Sequence, residues 1–402
     1  MMDFLLIRLL RTGLVFFGIL LVIYSFSNDK GSSASNDPTS ENIYKGPVIV
    51  RNKRFAQKTI QQAESNKPKI ILYWNKYFNH SDMGFGVGQE PFIRAGCKVN
   101  NCIATSDRSL LKESDGVIIH AGDYSENDLP TYRSPHQRFI FFNLETLPGL
   151  RHLPCFSRRH FYNWTMTYRR DSDIYDARPY GALRFKRDSE IMMSQDEPKP
   201  NNSQVDISNR NKLMVWFNSH CSTHSRREDY VKKLAEFMPV DIYGKCGTLE
   251  CLPRNTPRCD SRVLMKYKFY LAAENSLCPD YVTEKFYRGF LNDIVPVVYG
   301  GADYSQYAPP HSYINIADFR SPKELADYLL LLDKNDALYR KYFDWKKNFE
   351  VINRPLNGWC DLCEKLNDPT QKRKSYENVA KWWYDDIPCL AGSSFINSIA
   401  TM

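Results

Sequence analysis

Between Tyr267 and Gly301 the chain reads YKFYLAAENSLCPDYVTEKFYRGFLNDIVPVVYGG, a pattern that few folds accommodate. The apolar run Phe269 to Ala273 stops at Glu274, Asn275 and Ser276, and a loop with Cys278, Pro279 and Asp280 leads to Tyr281, Val282 and Thr283. Phe286, Tyr287, Phe290 and Leu291 then recur at helical spacing, and Ile294 to Tyr299 is a second apolar run ending in Gly300 and Gly301. Buried strands of a parallel sheet read as continuous apolar runs, so the stretch predicts one βαβ unit. Thr283 is placed to cap the helix, with Lys285 in its first turn. Free backbone N–H groups, the helix dipole and a lysine together favour an anion there, a diphosphate for example. Ligands of open α/β sheets bind outside the carboxyl ends of strands, where Glu274 and Asn275 lie.

The same handover recurs upstream. A strand expected over Leu213 to Phe217 precedes Asn218, Ser219 and His220, and a helix from about Ser225 to Phe237 carries Arg226 and Arg227 in its first turn. This predicts a second anion site. His220 and His224, loop histidines with no carboxylate partner in view, read as polar surface groups. Four apolar residues in RFIFFNLETLP, Arg138 to Pro148, make another buried strand, and Glu145 emerges just beyond its carboxyl end. A lone glutamate in that position is ordinarily a solvated surface group. Further strands are expected at Ile70 to Trp74, Gly116 to His120, Val240 to Tyr243 and Tyr313 to Ile316, and amphipathic helices at Pro322 to Leu332 and Asp336 to Phe349. The glycines at 84, 86 and 88 give GFGVG without the next glycine of a dinucleotide fingerprint, so they read as a turn or a pocket-shaping loop. Asp171 and Asp173 form a DxD string, which is common by chance and reads as structural.

The strings AENSLCPDYVTEKFYRGF, VPVVYGG, NLE with a following proline, and FYNWTMTYRRDSDIYDARPYG run in order over most of the chain. Together they resemble the α1,3-fucosyltransferases of glycosyltransferase family 10, and CDLC gives an invertebrate-like cast. The resemblance implies two Rossmann-like α/β domains facing across a cleft, the GT-B arrangement. It implies that Asn275, Tyr281, Glu284 and Lys285 bind the GDP-fucose donor, with Arg227, or its neighbour Arg226, on the diphosphate. Glu145 becomes the general base that an acceptor hydroxyl needs in order to attack the sugar. Tyr168, Arg169 and Glu274 are expected near the cleft. The reaction implied is inverting transfer of fucose to GlcNAc of glycoprotein N-glycans, the core GlcNAc favoured. Lewis-type transfer to lactosamine antennae, or an inactive glycan-binding relative, are the alternatives. Protein cations would stabilise the leaving diphosphate, so no metal or cofactor is required, with stimulation by Mn²⁺ left open.

At 402 residues the chain is long enough for two domains, and 43% hydrophobic with 14% aromatic residues is a globular composition. A net charge of +8 without a dense Lys/Arg stripe argues against a nucleic-acid partner. Arg8 and Arg11 precede an uncharged run from Thr12 to Phe26, expected as a single-pass signal anchor with the remainder lumenal in the Golgi. A cleaved signal peptide is the competing reading. The expected divisions are 1–27 for tail and anchor, 28–67 for a stem, 68–205 for an acceptor-side domain and 206–402 for the donor domain with a C-terminal return segment. Linker-like composition covers Asp188 to Asn211. Sequons at Asn79, Asn163 and Asn201 and eleven cysteines agree with an oxidising compartment. Near pairs such as Cys97 with Cys102, or Cys246 with Cys251, are candidates for local bridges. Cys360 and Cys363 form a CxxC that lacks the ligands for zinc and the βαβ setting of a thiol oxidoreductase.

Overall fold

The structure, a computed structural model, describes residues 67–400 apart from 147–157, 177–179, 187–204, 254–255, 354–356 and 387. The expected anchor, the stem, the sequon at Asn201, Cys155 and most of the expected linker lie outside the described residues. Everything described belongs to one compact unit, Tyr44–Met402.

Strands β1 (Lys69–Tyr73), β2 (Cys102–Thr105), β3 (Gly116–His120), β4 (Arg138–Asn143), β5 (Trp164–Thr167) and β6 (Ile174–Tyr175) form one parallel sheet in the order β2-β1-β3-β4-β5-β6. After β7 (Ala182–Phe185), strands β8 (Lys212–Phe217), β9 (Val240–Tyr243), β10 (Tyr267–Ala273), β11 (Val295–Tyr299) and β12 (Ile314–Asn315) form a second parallel sheet, ordered β9-β8-β10-β11-β12. In both sheets the second strand flanks the first on one side and the third flanks it on the other. The direction of winding therefore reverses beside β1 and beside β8, and a crevice opens there at the carboxyl ends.

Helix α1 (Glu90–Arg94) belongs to the first sheet, and α2 (Arg227–Leu234), α3 (Pro257–Leu264) and α4 (Glu284–Leu291) to the second. All seven residues of β10 are buried, as its place in the middle of the sheet requires. The Thr283 side chain accepts from the Lys285 N–H to start α4, which buries Phe286, Tyr287, Gly289 and Phe290. A Cβ on Gly289 would come 2.9 Å from Cβ of Pro296, so glycine is what lets this helix lie close on β11. Phe286 is fully buried, and its truncation to alanine would cost about 3–5 kcal/mol.

Helix α2 starts later than its sequence pattern predicts, because Arg226 takes a left-handed conformation with φ 53°. After α5 (Pro322–Lys334), the helix expected over Asp336 to Phe349 is also corrected: α6 (Asp336–Arg340) gives way to a 3₁₀ stretch, Lys341–Lys347. Strand β13 (Phe349–Ile352) then pairs antiparallel with β7. That pairing takes Phe349 out of any helix.

The C-terminal portion, with α7 (Asn357–Asn367), α8 (Val379–Tyr384) and α9 (Gly392–Ala400), returns to both sheets. Trp359, Cys363 and Trp383 join an apolar core that runs from the first sheet to one face of the second, through Val215, Tyr270 and Ala272. The local cysteine pairs are corrected. Cys97 bonds Cys360 and Cys102 bonds Cys363, so the CxxC ties α7 to the first sheet, while Cys221 bonds Cys246, Cys251 bonds Cys259 and Cys278 bonds Cys389. A bridge closing 261 residues restricts the unfolded chain strongly. Losing it through Cys102→Ala with Cys363→Ala is expected to lower stability in urea by about 2–5 kcal/mol, towards the low end because Cys97–Cys360 closes nearly the same loop. Unchanged unfolding would mean that Cys97–Cys360 and packing suffice to hold α7.

Candidate active site

The carboxyl end of β4 is turned by Asn143, whose side chain accepts from the Glu145 N–H at 3.2 Å and donates to the Glu145 carbonyl at 2.7 Å. The Tyr180 hydroxyl donates to the carbonyl of Leu144 at 2.6 Å. These contacts present the half-buried Glu145 side chain on one wall of a cavity of about 460 Å³. Across it lie Asn218, Ser219 and His220 after β8, Arg227 at the start of α2, Asn275 after β10, and Tyr281, Thr283, Glu284 and Lys285 at the start of α4. The two walls are joined directly. Tyr281 donates to Glu145 Oε2 at 3.2 Å, Thr146 and Ser276 share a hydroxyl contact at 2.8 Å, and the Arg170 N–H donates to Asp280 at 3.1 Å.

Burial raises the Glu145 carboxyl pKa above its ordinary value, and Lys285 and the Tyr281 hydrogen bond only partly oppose this. Glu274 is fully buried. It accepts from the Thr283 N–H at 2.8 Å and pairs with Lys285 Nζ at 3.2 Å, so it braces the cap and the lysine from behind and does not line the cavity. Burial disfavours the Lys285 charge, but Glu274 and Glu284 outweigh it and hold the ammonium above its usual range. Glu284 is pulled below the usual carboxylate value: burial raises it, and Lys285 with Arg288 more than offsets this.

Of the two adjacent arginines, Arg227 is the one in the cavity. It is buried, donates from Nη2 to Asn218 Oδ1 at 2.9 Å, and its Nε is buried with no hydrogen-bond partner among the described residues. Arg226 is exposed and pairs with Asp229 at 2.6 Å. Gly244, at φ +105°, lies on the same floor, where a Cβ would come 2.6 Å from the carbonyl oxygen of Asn218.

Three expected positions are corrected. Arg169 is buried, forks onto Asp171 at 2.9 and 2.6 Å and lies 4.1 Å from the Trp382 ring centre, so it secures α8 and not the cleft. Tyr168 sits behind the cavity with its ring 5.0 Å from that of Tyr281. Asn163 is buried, accepts from Arg133 at 2.7 Å and donates to the Lys374 carbonyl at 2.8 Å, so the folded chain does not offer its nitrogen to a glycan. Asn79 is exposed.

The DxD carboxylates are occupied by the protein itself. Asp171 holds Arg169, and Asp173 holds Lys374 at 2.6 Å and Tyr376 at 2.9 Å. No cluster of three potential metal ligands occurs among the described residues, nor does any helix long and apolar enough to cross a membrane. His220, expected merely on the surface, is exposed but lines the cleft. Asn218, Tyr180, Asp260 and Arg288 were not marked from the sequence. The Tyr-Gly that closes the motif ending at Gly181 was the available signal for Tyr180.

Two parallel α/β sheets meeting at a cleft, with a carboxylate on one wall and cations at helix starts on the other, define a group-transfer enzyme for an anionic donor. Residues 66–181 match the family model for the fucosyltransferase N-terminal region, and 207–382 match that for the glycosyltransferase family 10 (fucosyltransferase) C-terminal region. The chain is 36% identical to α-(1,3)-fucosyltransferase C of Drosophila melanogaster over 365 residues, covering 85% of this chain and 84% of that protein. It is equally 36% identical to the fly glycoprotein 3-α-L-fucosyltransferase A, over 82% of this chain and 63% of the relative. For human 3-galactosyl-N-acetylglucosaminide 4-α-L-fucosyltransferase FUT3 the figures are 36%, 70% and 75%. The crystal structure of an α1,3-fucosyltransferase with GDP-fucose shares the fold, with a TM-score of 0.50 at 16% identity over 79% of this chain and 96% of that one. The chain belongs to glycosyltransferase family 10 and is a fucosyltransferase.

Proposed function

We propose that the enzyme transfers L-fucose from GDP-fucose, in α1,3 linkage and with inversion at the anomeric carbon, to GlcNAc of glycoprotein N-glycans, the innermost GlcNAc being the favoured acceptor. The observation that carries this reading is that Glu145 and Lys285 line one cavity, across which Tyr281 donates to Glu145. Glu145 takes the proton of the acceptor hydroxyl as that oxygen bonds to the anomeric carbon and the bond to the diphosphate oxygen breaks. The charge growing on GDP meets Lys285, Arg227 and the positive end of the α4 dipole. These protein cations do the work that a metal does in other transferases, so the reaction needs none. Five disulfides among the described cysteines fit a lumenal catalytic region. The uncharged run Thr12 to Phe26 serves as a type II Golgi anchor.

The relatives' names point to two acceptors at equal identity, glycoprotein for one and galactosyl-N-acetylglucosaminide for the other. Incubating the full chain with GDP-fucose and either a defined N-glycan or lactosamine, and reading the products by mass spectrometry, tests the choice. Fucose on the innermost GlcNAc is expected. Fucose on lactosamine alone moves the acceptor to the Lewis type, and no fucose on either removes the proposal.

A further inference from the structure

Beyond Lys285 the cleft continues into a recess that the transfer step does not use. Residues four apart stack on one helix face, so Arg288 follows Glu284 along α4, about 6 Å further on, and it lines the same cavity. Its guanidinium carbon is 5.5 Å from the Phe217 ring centre, and its Nε is 3.1 Å from Asp260 Oδ2. The Phe217 and Tyr243 rings, 5.6 Å apart, and the Cys251–Cys259 disulfide complete the walls. Asp260 directly follows Cys259 in the first turn of α3, so the bridge fixes the position of its half-buried carboxylate. The recess therefore combines aromatic and charged walls, and in Asp260 it offers an anchored carboxylate on the same cavity as the cation site.

We infer that Asp260 selects the nucleobase of the donor: its carboxylate accepts from N1–H and the 2-amino group of guanine, while Arg288 fixes the carboxylate and Phe217 and Tyr243 flank the ring. This rests on reading the cleft as a GDP-sugar site. A carboxylate offers two acceptors side by side and no donor. Guanine alone among the common bases presents two adjacent donors on one edge. Adenine has no N1–H, and the single N–H of uracil is flanked by carbonyl oxygens that would face the carboxylate.

Calorimetric titration of the full chain with GDP, IDP, XDP and UDP tests the assignment. For the unaltered protein GDP is expected to bind about 10-fold or more tightly than IDP, which lacks the 2-amino group. XDP, with a carbonyl at that position, is expected to bind more weakly still. Asp260→Asn presents one donor and one acceptor, which complement xanthine, so this variant is expected to prefer XDP over GDP. A variant that is merely damaged would weaken all the nucleotides alike and keep their order. Equal binding of GDP and IDP by the unaltered protein overturns the inference whether or not the variant folds, as does an unchanged order in Asp260→Asn. Preference for UDP over GDP in the unaltered protein would instead bring down the donor reading itself.

Discussion

Glu145→Gln is expected to lower turnover by about 10²–10⁴-fold, the usual range for removing a general base, while GDP binds as tightly as before. The substitution keeps size and leaves an amide oxygen to accept from Tyr281, which now donates to Glu145 at 3.2 Å, so the seam between the two walls survives. What is lost is the ability to take a proton. The acidic limb of kcat/KM should change as well. Burial lifts the Glu145 carboxyl above the ordinary carboxylate range, and a base works only when ionised. Activity should therefore fall as the pH drops through that raised pKa, at a higher pH than an exposed glutamate would give. In Glu145→Gln this limb should vanish from the residual rate. Undiminished turnover, or a variant that retains the limb, would show that the proton goes elsewhere.

The strands were legible because burial on both faces leaves a continuous apolar signature, as in FIFF, LMVWF and VPVVY. The start of α4 was legible for a different reason: Thr283 and Lys285 are local signals, and the capping bond forms within the same turn. Glu145 could be singled out only through family resemblance, since one carboxylate after a strand carries no spacing to read. The failures concern contacts between residues far apart in the chain. No pattern near Cys102 announces Cys363, and nothing beside Arg169 told whether its guanidinium turns to the cleft or to Trp382. Asp260 and Arg288 are ordinary charged helix residues in sequence. They become a site only when α3 and α4 bring them to 3.1 Å. The 3₁₀ stretch after α6 and the strand that follows it were hidden because Tyr339, Tyr342, Phe343 and Trp345 keep a helical spacing of buried residues through the segment.

Lys285→Ala is expected to weaken GDP binding by about 30-fold to 5,000-fold, the range for truncating one partner of a buried, hydrogen-bonded charge pair. Two effects combine. The diphosphate loses a cation at the start of α4, and Glu274, fully buried and 3.2 Å from Nζ, loses the charge that balances it. The second effect also predicts a stability loss that depends on pH. Burial already raises the Glu274 carboxyl, against the pull of Lys285. Without the lysine its pKa rises further, so the variant should be relatively more stable at acidic pH, where Glu274 is neutral, and lose ground as the pH climbs through the raised value. Pairing Lys285→Ala with Glu274→Gln separates the two contributions. The double variant should regain thermal stability, because the buried carboxylate is gone and the Thr283 cap can still donate to the amide oxygen, yet it should still bind GDP well below the unaltered enzyme, since the diphosphate's cation is missing. Recovery of GDP affinity in the double variant would mean that the lysine serves only to neutralise Glu274, and that the diphosphate is held by Arg227 and the backbone.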